Sequence, residues 1–132
     1  MAQATPPRRI LIVDDEESMR LLLARIITRD LQVEAQLAGT CEQALKLAAA
    51  NAYDAILLDL LMPGIGGLGV LKAIRSASLN KATPVIVVSV LADEITVAGC
   101  ISAGADAHHA KPIRRPELVA TVKTLVARRS HG

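Results

Sequence analysis

Four short runs along this chain each end in a polar side chain, and that arrangement constrains the fold more than any other feature. Ile10-Leu-Ile-Val13 ends at Asp14 and Asp15, Ala55-Ile-Leu-Leu58 at Asp59, and Val85-Ile-Val-Val88 at Ser89. A fourth run, Ala107-His-His-Ala110, leads into Lys111-Pro112. Runs this short and rich in Val, Ile and Leu read as strands buried on both faces, which is how parallel strands sit. In an open parallel sheet, ligands bind beyond the carboxyl ends of the strands. If the four runs lie side by side, three carboxylates, a hydroxyl and an ammonium converge on one crevice. That set of groups suits a divalent cation and a phosphoryl group.

The segments between the runs have helical periodicity. Ser18 is the expected cap of a first helix whose Met19, Leu22, Leu23, Ile26 and Ile27 share one face. Val33, Ala35 and Leu37 alternate with polar neighbours, as in a half-exposed edge strand. Thr40 and Gln43 make a capping box for a second helix that reaches about Asn51. A glycine-rich turn then opens a third helix carrying Leu71 and Ile74, and Asp93 caps a fourth that extends to about Ala103. Pro116 suits the first turn of a last helix, in which Leu118, Val119, Val122, Leu125 and Val126 share a face. Five strands alternating with five helices imply a doubly wound α/β domain with a parallel sheet. Residues 1–8, with Pro6-Pro7, read as a disordered lead, 9–129 as the domain and 130–132 as a tail.

Composition excludes several function classes. A chain of 132 residues that is 52% apolar makes one domain with a real core. Tyr53 is the only aromatic residue, so no surface can stack bases on aromatic rings. A net charge of +2, part of it in Arg8-Arg9 and Arg128-Arg129 near the ends, is too small to imply nucleic-acid binding. Cys41 and Cys100 lack metal or redox spacing and read as free thiols of a reducing compartment. No run approaches the ~18 apolar residues of a membrane span. The expected location is the cytoplasm, with neither membrane nor nucleic acid as a direct partner.

Asp14-Asp15, Asp59-Leu-Leu-Met-Pro-Gly64, Ser89, and Gly104-Ala-Asp106 leading to Lys111-Pro112 together resemble the receiver domain of two-component response regulators. The resemblance extends from about Arg9 to Arg128. It implies the flavodoxin-like strand order 2-1-3-4-5, which places the first and third strands side by side. It also implies Mg²⁺ ligated by Asp15 and Asp59, by Asp14 largely through water, and by the backbone carbonyl of Leu61. Asp59 becomes the phosphoacceptor, Lys111 (usually before a cis proline) the charge-absorbing cation, and Ser89 the hydroxyl that bonds an arriving phosphoryl oxygen. The donor is expected to be a histidine kinase or phosphotransfer protein. Output is expected through protein contacts of the fourth helix, last strand and last helix.

The same residues have blander readings. Acids at Asp14 to Glu17 are favoured at any helix N-terminus, which accounts for Glu16 and Glu17 but leaves Asp59 unexplained. Asp59 could start a turn, and Lys111 could be a surface lysine. Gly64-Ile-Gly66-Gly-Leu-Gly69 spells a dinucleotide fingerprint, but Leu60 to Pro63 separate it from its strand, and the next strand ends in Ser89 instead of an acid. A loose loop beside the site is the expectation there. Departures from the family pattern are His108 where an aromatic switch residue usually stands, Val90 where the residue is usually small, and Leu61 and Leu91 where polar residues often handle water. The expected function is a single-domain response regulator, with no enzyme activity beyond Mg²⁺-dependent self-phosphorylation on Asp59. The alternatives are a phosphorylation-independent interaction module of the same fold and a receiver excised from a longer regulator. A phosphohydrolase of the haloacid-dehalogenase kind needs a second Asp where Leu61 stands.

Overall fold

The computed structural model describes residues 8–76 and 79–131. Strands β1 (Arg9–Val13), β2 (Glu34–Ala38), β3 (Ala55–Leu58), β4 (Val85–Ser89) and β5 (Ala107–Ala110) form one parallel sheet in the order 2-1-3-4-5. Helices α1 (Glu17–Leu31), α2 (Cys41–Ala50), α3 (Gly66–Ser76), α4 (Glu94–Ser102) and α5 (Arg115–His131) connect them. β1, β3 and β4 are interior strands, and their residues Ile10–Val13, Ala55–Leu58 and Val85–Ser89 are buried throughout. The continuous apolar runs therefore follow from the need to cover both faces of a parallel sheet.

Alternate residues of each strand enter separate halves of the core. Leu11, Val13, Ile56, Leu58, Val85 and Val87 meet Ala44 and Ala48 of α2, Val70, Leu71 and Ile74 of α3, and Cys100 of α4. Ile10, Ile12, Leu57, Ile86 and Val88 meet Leu23 and Ile27 of α1 and Leu118, Val122 and Val126 of α5. Burying a branched aliphatic side chain of this kind stabilises the fold by roughly 1.5–3 kcal/mol. Both cysteines are free and buried, in α2 and α4.

Local signals acted mostly as their chemistry requires. The Thr40 hydroxyl accepts from the Gln43 amide at 3.0 Å, and the Gln43 side chain accepts from the Gly39 amide at 2.9 Å. Asp93 accepts from the Thr96 amide and caps α4. The expected cap at Ser18 is not formed. Glu16 is the capping residue of α1 and makes no side-chain cap bond, so Ser18 lies exposed inside the first turn. The cause is Asp14, whose carboxylate takes the Glu16 amide at 2.9 Å and starts the helix earlier. Leu22, expected on the buried face, is 43% exposed; it lies at the margin of the stripe centred on Leu23, Ile26 and Ile27. At the other end α5 continues to His131, two residues into the stretch expected to be a tail. Of the expected lead, residues 1–7 lie outside the described residues, and Arg8 is exposed.

Candidate functional site

Parallel register brings the polar strand ends together. Val13 pairs with Ala38 on one side and Leu58 on the other, so Asp14 and Asp59 emerge next to each other. The Asp59 amide donates to the Val13 carbonyl at 2.9 Å. Across the sheet, Ser89 pairs with Ala110, and the Lys111 amide donates to the Ser89 carbonyl at 3.0 Å. The Lys111-Pro112 peptide is cis. One ammonium thereby reaches two carboxylates: Lys111 Nζ lies 2.8 Å from Asp14 Oδ2 and 3.5 Å from Asp59 Oδ2.

Three strand ends repeat one local device. Asp14, Asp59 and Ser89 each accept, through a side-chain oxygen, the backbone amide two residues further on. The distances are 2.9 Å from Glu16 N to Asp14, 3.4 Å from Leu61 N to Asp59, and 3.2 Å from Leu91 N to Ser89. Short polar side chains at turn starts commonly do this, because it replaces the ladder bond lost where the strand stops. The Asp59 bond is the longest and weakest of the three, so Asp59 is the least committed of the buried groups.

Carboxylate oxygens of Asp14, Asp15 and Asp59 lie within 4.8 Å of one another. Asp14 and Asp59 are buried, and Asp15 is exposed. Burial pushes the Asp59 carboxyl above the ordinary carboxylate range; Lys111 opposes this and Asp14 adds to it. For Lys111, burial works against the charged form, yet the adjoining Asp14 and Asp59 carboxylates raise its pKa overall. Three carboxylates against one ammonium leave two negative charges, which a divalent cation balances. Mg²⁺ takes oxygen ligands at about 2.0–2.1 Å, placing opposite ligands about 4.2 Å apart. Three hard oxygen donors within 4.8 Å of one another fit such an ion.

The rim contrasts with the floor. Leu61, Val90 and Leu91 are 49%, 58% and 38% exposed, so the mouth of a charged site is apolar. His108 is half-buried, and its Nε2 lies 2.8 Å from the Leu91 carbonyl. A carbonyl can only accept, so this nitrogen carries the hydrogen. The next residue, His109, faces α5 and pairs with the Thr121 hydroxyl at 2.8 Å. Burial holds its imidazole below the usual pKa; Glu117 opposes that shift, and His108 adds to it.

Two features beside the site depart from the sequence reading or lie outside it. The glycine-rich segment expected to be a loose loop is closely fitted at Gly67, where a Cβ would run into the Asp59 carbonyl oxygen and the Leu60 Cα. Gly67 also donates its amide to the Leu60 carbonyl at 3.0 Å. Its missing side chain lets α3 start against the strand end that carries Asp59. Gly64 and Gly66 have positive φ, 88° and 73°, which makes the turn before that approach. The second feature is Arg20, whose guanidinium donates to the Asp14 carbonyl at 2.8 Å. Six residues of separation on a helix and a strand end give no periodic signal, so only the folded chain shows this contact.

The fold and the acidic, lysine-bearing strand ends define a class, and comparison with known proteins agrees with it. A family profile for the response regulator receiver domain matches residues 10–123. The chain belongs to the response regulator receiver domain family, and so to the proteins of two-component signalling. It is 37% identical over 119 residues to the sensory/regulatory protein RpfC of Xanthomonas campestris pv. campestris, covering 89% of this chain and 16% of that protein. It is 37% identical over 126 residues to the transcriptional regulatory protein ResD of Bacillus subtilis, covering 96% of this chain and 51% of ResD. The chain thus spans about half or less of these relatives' length. Among solved structures, a response regulator from Chloroflexus aurantiacus superposes with a TM-score of 0.85 at 33% identity, over 92% of this chain and 98% of that one. The receiver domain of the sensor histidine kinase PA1611 from Pseudomonas aeruginosa superposes with a TM-score of 0.83 at 26% identity, with the same coverage. That structure has a magnesium ion coordinated in its active site cleft. No helix among the described residues is long and apolar enough to cross a membrane.

Proposed function

We propose that this chain receives a phosphoryl group on Asp59 from a histidine kinase or phosphotransfer protein and signals through contacts with another protein. The observation that carries this reading is Lys111 Nζ, set 2.8 Å from Asp14 and 3.5 Å from Asp59 at the adjoining ends of strands that are distant in sequence. An Asp59 carboxylate oxygen attacks phosphorus, and the P–N bond to the donor imidazole breaks as the P–O bond forms. The imidazole leaves with the electron pair and takes up a proton. Lys111 then shifts its ammonium from the Asp14 and Asp59 carboxylates toward the phosphoryl oxygens, where negative charge accumulates. Asp14, Asp15, Asp59 and the Leu61 carbonyl are the proposed Mg²⁺ ligands; when bound, the ion neutralises the acidic cluster and the phosphoryl oxygens.

Ser89 reads the result. Its hydroxyl oxygen accepts from Leu91 N while its own O–H is left to donate, so a phosphoryl oxygen at Asp59 can draw it inward. That movement pulls on Leu91, to which His108 is also bonded, and so on β5. The proposed output face is accordingly α4, β5 and α5, with His108 in the switch position. A receiver standing alone and one set within a longer regulator, as in the relatives above, would take up the phosphoryl group by the same chemistry.

The test is labelling with acetyl phosphate and Mg²⁺ followed by mass spectrometry. One acid-stable, base-labile phosphoryl group is expected on Asp59, none in Asp59→Asn, and a large fall in rate in Lys111→Ala. Equal labelling of Asp59→Asn would remove Asp59 from the role assigned to it.

A further inference from the structure

Asp14 and Asp15 are adjacent in sequence, yet they are held very differently. Every polar group of Asp14 is engaged: its amide donates to Ala38 O at 3.1 Å, and Oδ1 accepts from Glu16 N at 2.9 Å. Oδ2 accepts from Lys111 at 2.8 Å, and the carbonyl accepts from Arg20 at 2.8 Å. Asp15 is exposed, and its place in the acidic cluster depends on how the chain leaves Asp14. The carbonyl held by Arg20 belongs to the peptide that joins the two. A peptide is planar, so fixing its oxygen fixes the plane and the direction in which Asp15 departs.

The position of Arg20 is itself built into the fold. Its guanidinium lies in the space left by the missing side chain of Gly39, at the end of β2. A Cβ there would lie 2.7 Å from Arg20 Nη1 and 3.1 Å from Cζ. Gly39 does not have a positive φ, so an added Cβ there would meet no backbone strain; it would instead displace the guanidinium end of Arg20.

We infer that Arg20 is a positioning residue of the cation site: through the Asp14 carbonyl it orients the Asp14–Asp15 peptide and so sets the Asp15 carboxylate relative to Asp14 and Asp59. This inference rests on the reading of those three acids as Mg²⁺ ligands. Charge and geometry make opposite demands, which makes the idea testable by sign. As a cation near an acidic cluster, Arg20 opposes Mg²⁺ binding, and its removal would tighten the site if charge were its only effect. As a positioning group, it favours binding, and its removal loosens the site.

Calorimetric titration of Mg²⁺ into wild type, Arg20→Gln, Gly39→Ala and Asp15→Asn separates these. Arg20→Gln is expected to bind Mg²⁺ about tenfold more weakly, the usual scale for losing a group that orients a metal ligand. Gly39→Ala keeps the charge and displaces the guanidinium, so it is expected to weaken binding in the same direction. In both variants acetyl phosphate labelling of Asp59 should approach the wild-type rate once Mg²⁺ is saturating. Unchanged or tighter binding in Arg20→Gln overturns the inference, as does full affinity in Gly39→Ala. If wild type binds and Asp15→Asn weakens it while Arg20→Gln does not, only the role of Arg20 falls. If wild type binds no Mg²⁺, the reading of the site falls with it.

Discussion

The two ends of the sheet use polar groups in opposite ways. Near the amino ends of β3 and β4, buried Asn80 closes a network of neutral groups. Its side-chain oxygen accepts from the Tyr53 amide at 2.9 Å, and its NH₂ donates to the carbonyls of Ala48 at 2.6 Å and Asn51 at 2.7 Å. The Thr83 hydroxyl completes it, within reach of both Tyr53 O and Asn80 Oδ1. Beside this network, Arg75 clamps Gly104 O and Thr83 O and pairs with Asp106, which in turn holds Val85 N. At the carboxyl ends the carboxylates outnumber their cation: Asp15 is exposed, and a single lysine is shared between the two buried ones. A closed network rigidifies, because every buried group has its partner. An acidic cluster with one ammonium retains capacity to bind, and it does so at a cost in stability. One end holds the loops in register so that the other can stay reactive.

The largest expected effect breaks the closed end. Asn80→Ala strands the Tyr53 amide and the carbonyls of Ala48 and Asn51, and should cost about 3 kcal/mol in urea unfolding. Asp59 labelling of the folded variant should persist, since the network lies at the far end of the strands. Loss of labelling in folded Asn80→Ala would show that the two ends are coupled.

Somewhat smaller is the response of the reactive end to its cation. Mg²⁺ at about 100 times its Kd should stabilise wild type by about 2.7 kcal/mol. A thermal melt should show the same increment in Asn80→Ala, because distant sites add, and a reduced one in Asp15→Asn. Indifference of the wild-type melt to Mg²⁺ would remove the cation site.

The rim comes next. Leu61 and Leu91 have no group to orient an attacking water. The phosphorylated form should therefore decay more slowly than a Leu61→Asn, Leu91→Glu variant, by up to about tenfold, which corresponds to ~1.4 kcal/mol in the barrier. Equal phosphate loss from both at fixed Mg²⁺ would show that the rim does not set the lifetime.

The smallest effect is a difference of sign. The pKa of Asp59 is raised in the fold, so the folded protein holds that proton more tightly than the unfolded chain does. Ionised Asp59 thus destabilises the metal-free protein at neutral pH, and the penalty fades as pH falls from above the folded pKa toward the unfolded value. Asp59→Asn should be more stable than wild type at pH 7 without metal, with the gap closing in acid. Denaturation curves at several pH values measure it, and a gap that widens in acid contradicts the assignment.

Much of this was legible before folding. The runs ending at Asp14, Asp59 and Ser89 carry strand length, burial on both faces and a polar stop in a few residues each, and those are local properties. Thr40 and Asp93 announced their helices for the same reason, since a cap needs only the next turn. Ser18 misled because Asp14 competed for the start of α1, and the outcome depended on which acceptor was already anchored, by Lys111 and by the end of β2. Asn80 and Thr83 gave no signal at all: apart from each other, their partners lie 27 to 32 residues away and are backbone groups, which any sequence supplies.

The sequence by itself determined the alternation of strands and helices, the buried identity of the core, and which residue types could meet at the strand ends. Those follow from periodicity, apolar content and the short reach of a cap or turn. Tertiary structure alone decided that Lys111 would serve both Asp14 and Asp59, that Arg20 would hold the peptide between two acids beneath Gly39, and that Gly67 would let α3 close onto Asp59. Each of these is a contact between segments that sequence does not place together. Their energies come from distances of a few ångströms, which only the register of the sheet and the seating of the helices can set.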